Sequence, residues 1–468
     1  MSSLCAGLFA LILVTFPSPA YADSYAAFSN FRQADPTGHF YIVVKKNGGP
    51  ADPGRGTPVT FEIAERQPGS PPLAPAADER KGLRAVVANP EVKVREGDIL
   101  LGKGSLDRCP SRILISSTGL GFVGLDVRGY NYGSLRSGDA LVVVAKDGTV
   151  RHRKDLIDLF NEGEVARFMR SAGGVWWCGG GWIDEGRKEI IVVGSGSGQE
   201  DEAIPRLFRI VDMESGKVRD GSPDVVLTAL SEVNLGELDQ AIDLTAELKL
   251  DRAKPDLVKI FSSEKIRIES RLHAAVALGT MGDRRGGDLM RQVAFDKTGP
   301  RYYAIQNLPA VLGDEAAPVL CEVVRRSGKE WSSTAWQAMH SVSGRAAVPP
   351  LLKLLQEDKP DGVDFALECL GNKGPEAAAA IPDMIKLLDS EPKTKSPLWT
   401  QQLAAMALGR IGPKAGAALP SLIRLSEKHA PEEWAKFKDN QPELRNDNFG
   451  GKKYADDYFV DAICKIRH

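Results

Sequence analysis

The chain has few of the residues that compact site chemistry needs. Six cysteines are spread over 468 residues, with no Cys-x-x-Cys spacing among them. Cys5 lies ahead of an N-terminal apolar run. The other five, Cys109, Cys178, Cys321, Cys369 and Cys464, are far apart and odd in number. That excludes a disulfide framework and argues against a zinc site; one bridge is compatible with the spacing, and nothing selects its pair. Cys321 and Cys369 fall at apolar positions of expected helices, where a free thiol packs as a small hydrophobe. The six histidines, His39, His152, His273, His340, His429 and His468, form no His-x-x-x-His or His-Glu arrangement. Neither a Gly-x-Ser-x-Gly elbow nor a Gly-x-x-x-x-Gly-Lys-Ser/Thr loop occurs. No metal, cofactor or catalytic constellation is therefore expected.

Charge of one sign is missing as well. Lys plus Arg is 60 against 62 for Asp plus Glu, a net charge of −2. This gives no electrostatic reason to expect a nucleic-acid or anionic-membrane partner. The basic run Arg151-His152-Arg153-Lys154 is short and reads as a solvated strand edge. The N-terminal apolar run, Leu8 to Phe16, is too short to span a bilayer, so no stable membrane insertion is expected. Pro17 to Pro19 interrupts it, and Ala20-Tyr21-Ala22 supplies a small-x-small pattern. Residues 1–22 thus read as an export signal cut before Asp23, with a periplasmic or extracellular destination. No Lys or Arg precedes the run, so the terminal amine alone supplies the positive end.

What is present falls into two halves. Residues 23–223 read as an antiparallel β domain. Short β-branched or aromatic runs recur between Gly, Asp and Pro: Phe40–Lys45, Val59–Ala64, Arg84–Val87, Arg112–Ser116, Phe122–Val127, Ala140–Ala145, Thr149–Arg153, Glu189–Val193 and Leu207–Asp212. Lys146-Asp147-Gly148-Thr149 and Glu214-Ser215-Gly216-Lys217 predict tight hairpins. Asp155 to Arg170 carries apolar residues at helical spacing and predicts one helix. The meander resembles β-propeller blades in its turn chemistry. About a dozen strands would make roughly three blades of four, too few to close a ring; a sandwich is the alternative.

From residue 224 to 468 helical periodicity takes over, and a repeat emerges. A proline is followed by one variable residue, two apolar residues, another variable one, and one or two further apolar residues. The copies begin at Pro255, Pro318, Pro349, Pro382 and Pro420, with a weaker one at Gly287. Proline fits the first turn of a helix, where its missing N–H costs no hydrogen bond, and the paired apolar positions make one buried stripe. An Ala-rich helix precedes the second helix in the clearest copies, as in Leu272–Met281 and Leu403–Ile411. Each unit is a helical pair whose stripe is covered only by stacking on its neighbours. Pro309 inside one first helix predicts a kinked or short element. Asp457 to His468 resembles a first helix alone and reads as a terminal cap.

The strings Ala274-Ala275-Val276-Ala277-Leu278-Gly279 and Ala405-Met406-Ala407-Leu408-Gly409 resemble HEAT repeats, most closely the short kind named after phycobilisome lyases. The resemblance covers about half the chain. It implies an α-solenoid, and that family includes lyase subunits, hydroxylases and plain adaptors. The expected role is an exported, non-enzymatic scaffold that holds a protein partner on the concave solenoid face. The rival reading is a ligand-binding protein or enzyme with its site in the β domain. Its candidate is the segment 173–182, where Trp176, Trp177 and Trp182 stand among glycines and would offer stacking surface. Equally, such tryptophans fill a β core while glycine relieves crowding. Gly194-Ser195-Gly196-Ser197-Gly198 lacks a following helix and reads as a hairpin loop, not a nucleotide site.

Overall fold

The computed structural model describes residues 31–47, 58–71, 73, 92–107, 109–110, 112–125, 128–129, 140–171, 174–176, 178–194, 207–231, 238–297, 299–357, 360–390, 396–437, 445–446, 452–453 and 457–467. Residues 1–30, which hold the expected export signal, and the expected strand Arg84–Val87 lie outside the described residues. Contacts divide the chain into two compact units between Ile266 and Arg267.

The first unit is built on three four-stranded antiparallel meanders. One contains β1 (Phe31–Ala34), β2 (Phe40–Lys46), β3 (Val59–Glu65) and β4 (Ile99–Leu106), in that order. The next contains β5 (Arg112–Ile115), β6 (Gly121–Leu125), then, past a short β7 (Arg128–Gly129), β8 (Leu141–Ala145) and β9 (Val150–Lys154). Two short helices, α1 (Leu156–Leu159) and α2 (Glu162–Val165), lead to β10 (Met169–Ser171) and β11 (Gly174–Trp176), which make a small sheet with β7. The third meander contains β12 (Cys178–Asp184), β13 (Glu189–Gly194), β14 (Phe208–Asp212) and β15 (Val218–Asp220).

Side-chain alternation makes these sheets a stack. Strands β6 and β8 are buried at every position. Ile113, Ile115, Phe122, Val142 and Val144 pack with Ile42, Phe61 and Ile63 of the first sheet. Their sequence neighbours Leu114, Val123, Leu141 and Val143 pack with Ile183, Ile190, Val192 and Val211 of the third. The Phe61 and Phe122 rings meet edge to face, 5.0 Å apart. The inner strands β6 and β8 are thus dry on both faces, which is why they read as apolar runs, while the edge strand β9 is largely exposed. The far face of the first sheet, with Tyr41 and Val43, is closed by Leu73 and Val92. There Asp98 accepts from Tyr41 Oη at 2.7 Å and from Arg66 Nη1 at 2.8 Å.

The tight hairpins form as expected. Gly148 takes φ 88° between β8 and β9, while Asp147 accepts from the N–H and hydroxyl of Thr149. The helix expected over Asp155–Arg170 is two short helices instead. Asn161 and Glu164 form a reciprocal cap that restarts the chain after Phe160. Strands β1, β4 and β12 carry Gly, Lys or Arg in place of a clear apolar pattern, and sequence reasoning missed them.

Helices α3 (Pro223–Ser231), α4 (Leu238–Glu247) and α5 (Lys254–Ser262) belong by contacts to this first unit. The change from strand to helix expected at 223/224 occurs at Pro223, while the compact units divide later. The outer face of the third sheet holds Trp182, Ile191, Val193 and Ile210, all buried. The Gln240 side chain of α4 reaches this face beside Gly180, so the helices lie over it.

The second unit is a solenoid of helical pairs. Its first helices are α6 (Ile268–Thr280), α8 (Arg301–Leu312), α10 (Ser332–His340), α12 (Pro360–Asn372), α14 (Pro397–Ile411) and α17 (Tyr458–Arg467). Its second helices are α7 (Gly287–Phe295), α9 (Ala316–Ser327), α11 (Gly344–Gln356), α13 (Ile381–Asp389) and α15 (Leu419–His429), and α16 (Pro431–Phe437) follows the last. First helices pack on first helices, and α17 packs on both α14 and α15 as a terminal cap. One continuous core runs from Leu272 to Ile466. The repeat prolines divide into two kinds. Pro255, Pro382 and Pro420 occupy the first turn as expected. Pro349 and Pro350 lie inside α11, because that helix begins earlier, at Gly344, with Ser343 as its cap. Pro309 also departs from expectation: α8 keeps twelve residues, with the proline in its last turn.

Candidate functional site

The two helix layers of the solenoid present different chemistry to solvent. Second helices are tied to one another by charge. Arg325 pairs with Glu357 at 2.7 Å, Gln356 donates to Asp383 at 3.0 Å, and Asp389 accepts from Arg424 at 2.8 Å and Ser421 at 2.5 Å. First helices carry exposed apolar groups. Seven large apolar side chains among the described residues are well exposed, and four of them lie on first helices: Tyr302 (38%), Leu398 (42%), Trp399 (41%) and Tyr458 (38%). Among the described residues the second helices carry none.

Backbone proximity shapes this layer. A Cβ on Gly279 would lie 2.6 Å from the Ala310 carbonyl oxygen, and Cβ atoms on Gly371 and Gly409 would each lie 3.1 Å from the Cα of an alanine, Ala407 and Ala462. The Leu-Gly pairs seen in the sequence therefore let successive first helices approach closely. In α14 the buried residues Leu403, Ala404, Ala407, Leu408 and Ile411 leave Trp399, Gln402, Met406 and Arg410 on the opposite stripe. The Trp399 and Tyr458 rings meet edge to face at 6.2 Å, linking α14 to α17.

Beside the aromatic pair lies a polar band. Thr400 donates to Asp364 of α12 at 2.9 Å. One turn on, burial and then the charge of Asp364 push the Glu368 carboxyl above its ordinary value, with Arg410 offsetting part of the effect. Arg410 Nη1 donates to Asn372 Oδ1 at 2.6 Å, and Asn372 Nδ2 lies 3.2 Å from His340 Nε2. Since the Asn372 oxygen is taken by Arg410, its amide donates and His340 accepts. Burial, Lys373 and Arg410 hold His340 below its ordinary value, which keeps it the neutral acceptor this line requires. Trp336 packs edge-on against His340 at 4.2 Å.

The β-domain candidates are placed differently. Trp182 is 3% exposed and pairs with Ile191; it shares a strand face with Gly180 and so points toward α4. The glycines around it make room: a Cβ on Gly181 would lie 2.4 Å from the Ile191 carbonyl oxygen. Trp176 stands in β11 opposite Met169 and Arg128. Trp177 lies outside the described residues. The loop after Gly194 connects the antiparallel pair β13–β14, as a hairpin does. Cys321 and Cys369 are buried free thiols, and burial pushes Cys321 up to about 12. No group of three or more metal-binding side chains occurs among the described residues, and no helix among them is long and apolar enough to cross a membrane.

No protein-family model matches the chain, and no curated protein matches it. Solved structures do. A phycocyanin lyase complex of CpcE and CpcF from Nostoc sp. PCC7120 is similar over 46% of this chain and 90% of its own, at 18% identity and a TM-score of 0.25. An engineered protein is similar over 52% of this chain and 96% of its own, at 18% identity and a TM-score of 0.23. A designed armadillo repeat protein, solved with a (KR)4 peptide, is similar over 46% of this chain and 96% of its own, at 19% identity and a TM-score of 0.24.

Proposed function

We propose that the chain is a non-enzymatic scaffold that holds a protein partner on the outward face of its first helices. One observation carries this reading: the exposed aromatic and apolar side chains of the solenoid gather on that layer, while the other layer is laced by ion pairs. Contiguous exposed apolar surface rimmed by polar groups marks interaction sites, and aromatic side chains are enriched in them. Close glycine contacts draw successive first helices together and so support a shared surface on that layer. The Pro-started second helices and Ala-Leu-Gly first helices support a HEAT-like assignment of the repeats. Leu8–Phe16 and Ala20-Tyr21-Ala22 support export, tested by intact mass from the native host: a chain beginning near Asp23 is expected, and retained residues 1–19 overturn it. The rival site around Trp176 to Trp182 gains no support, because Trp182 is interior.

The experiment is site-specific photocrosslinking with the full chain in its own host. A photoreactive residue at Trp399 or Tyr302 should give a discrete adduct with another protein. The same group at Lys353, exposed on the second-helix layer, should not. Equal labelling at all three positions, or none, overturns the scaffold reading.

A further inference from the structure

We propose that the line His340–Asn372–Arg410 is an acid-sensitive latch: it ties the ends of α10, α12 and α14 together at neutral pH and parts when His340 gains a proton. The proposal does not depend on the scaffold reading; it concerns how the surface of the first-helix layer is held.

The latch works because one amide has one oxygen. Asn372 Oδ1 accepts from Arg410 Nη1 at 2.6 Å, and Asn372 Nδ2 reaches His340 Nε2 at 3.2 Å. With His340 neutral, every contact in the line joins a donor to an acceptor. A proton on Nε2 sets N–H against N–H. Turning the amide over does not repair this, because Nδ2 would then face the guanidinium. Arg410 stays charged at every working pH and so keeps the oxygen. The joint that gives is therefore the one between α10 and α12. Trp336, one turn back on α10, packs on the imidazole at 4.2 Å and limits how the ring can turn to another partner.

The surroundings offer the new charge no anion. The charged groups that act on His340 are Lys373, just past α12, and Arg410 of α14, both positive. The nearby carboxylates face other groups. Glu368 of α12 is acted on by Asp364 and Arg410. Asp314, ahead of α9, accepts from the N–H and hydroxyl of Ser343, and with Glu376 it acts on Lys373. The charged groups of α8 and α9 are engaged elsewhere: Arg301 stacks over Trp331 at the opposite end of α10, and Glu322 pairs with Arg325 and Arg326. A helix C-terminus ordinarily favours a protonated histidine. At this one the Lys373 ammonium already serves the carbonyls of Met339, His340 and Val342.

The sign follows. Burial and the two cations hold His340 below its ordinary 6.5 in the folded chain. The contribution of the line is fully present above 6.5 and is lost as pH falls through the folded value. Glu368 acts with the opposite sign, so parent and variant are compared at each pH.

The test uses the full chain with isotope-labelled histidine, followed by nuclear magnetic resonance. The His340 signal, identified as the one missing from His340→Gln, should titrate below 6.5. Asn372→Asp supplies two oxygens, one for each cation, and should move that titration upward. Amide hydrogen exchange at the ends of α10 and α12, corrected for intrinsic rates, is then compared at about pH 7.5 and about pH 5, on either side of the histidine range. The parent should lose protection in acid. His340→Gln should not, since its amide oxygen accepts from Asn372 and takes no proton. Thermal unfolding at neutral pH checks that both variants are folded. A His340 titration at or above 6.5 in the parent, no upward move in Asn372→Asp, or a parent that loses no more protection than His340→Gln overturns the proposal.

Discussion

The Lys373 ammonium lies 2.6 Å from the carbonyl oxygen of Val342 and 2.8 Å from that of Met339. A lysine just past the end of one first helix thus closes the C-terminal end of the preceding one, supplying a charged donor to carbonyls at and just beyond that end. Replacing it with methionine keeps the stem and removes the donors. Lys373→Met should lower stability by about 1–3 kcal/mol, measured by denaturant unfolding. An unchanged midpoint would show that water serves those carbonyls equally well.

Gly279 gives a test of close helix approach. In an exposed helix interior, Gly→Ala stabilises by about 1 kcal/mol. Here the added methyl would meet Ala310 and Val311 backbone atoms at 2.6 and 2.7 Å. Gly279→Ala should therefore destabilise, by about 1–3 kcal/mol, because backbone does not yield as a flexible side chain does. A rise in melting temperature would refute the packing.

The paired apolar positions of the second helices are not equivalent. Leu351 is fully buried and Leu352 only partly so. Leu351→Asp should cost at least about 3 kcal/mol, through an unpaired buried charge, and Leu352→Asp roughly a third of that. Met384 and Ile385 should show the same order, since Met384 is the buried member. Equal losses within either pair would place the core on the wrong stripe.

Glu368 fixes the sign of one pH effect. Burial, then Asp364, raises its carboxyl above the ordinary 4.5 in the folded chain. Its contribution to stability is therefore fully present below 4.5 and is lost as pH rises through the folded value. Glu368→Gln should be more stable than the parent at pH 7, and the difference should close toward pH 4. A gap that widens on acidification would contradict the assignment.

Much of the architecture was legible because it rests on local rules. The proline-led stripe marks second helices, and the Gly-containing turns mark hairpins; both signals lie within ten residues. The inner strands β6 and β8 stood out because two dry faces demand apolar or small residues at every position. Strands β4 and β12 did not, since Gly102, Gly104, Gly180 and Gly181 are there to admit neighbouring backbone or side chains, a reason that exists only in three dimensions. The break at Phe160 needed the reciprocal cap of Asn161 and Glu164 to be recognised. The candidate site was harder still. Trp399 and Tyr458 are 59 positions apart in the sequence, with α15 and α16 between them, and nothing local joins them. The signal that finds Trp399 is indirect: it sits on the stripe of α14 that Leu403, Ala407 and Ile411 leave uncovered. Trp182, conspicuous in sequence, was conspicuous for packing reasons.

In the first unit the order of layers is also the order of synthesis. The sheet β1–β4 leaves the ribosome first, with its inner face bare until β5–β9 cover it. That middle sheet then bares its second face until β12–β15 arrive, and the outer face of these waits for α3 and α4. At each stage the sticky surface lies at the growing end, where the covering segment is the next to emerge. A nascent chain halted within β13 would hold two completed layers and one unsealed face, the state in which a chaperone has most to bind.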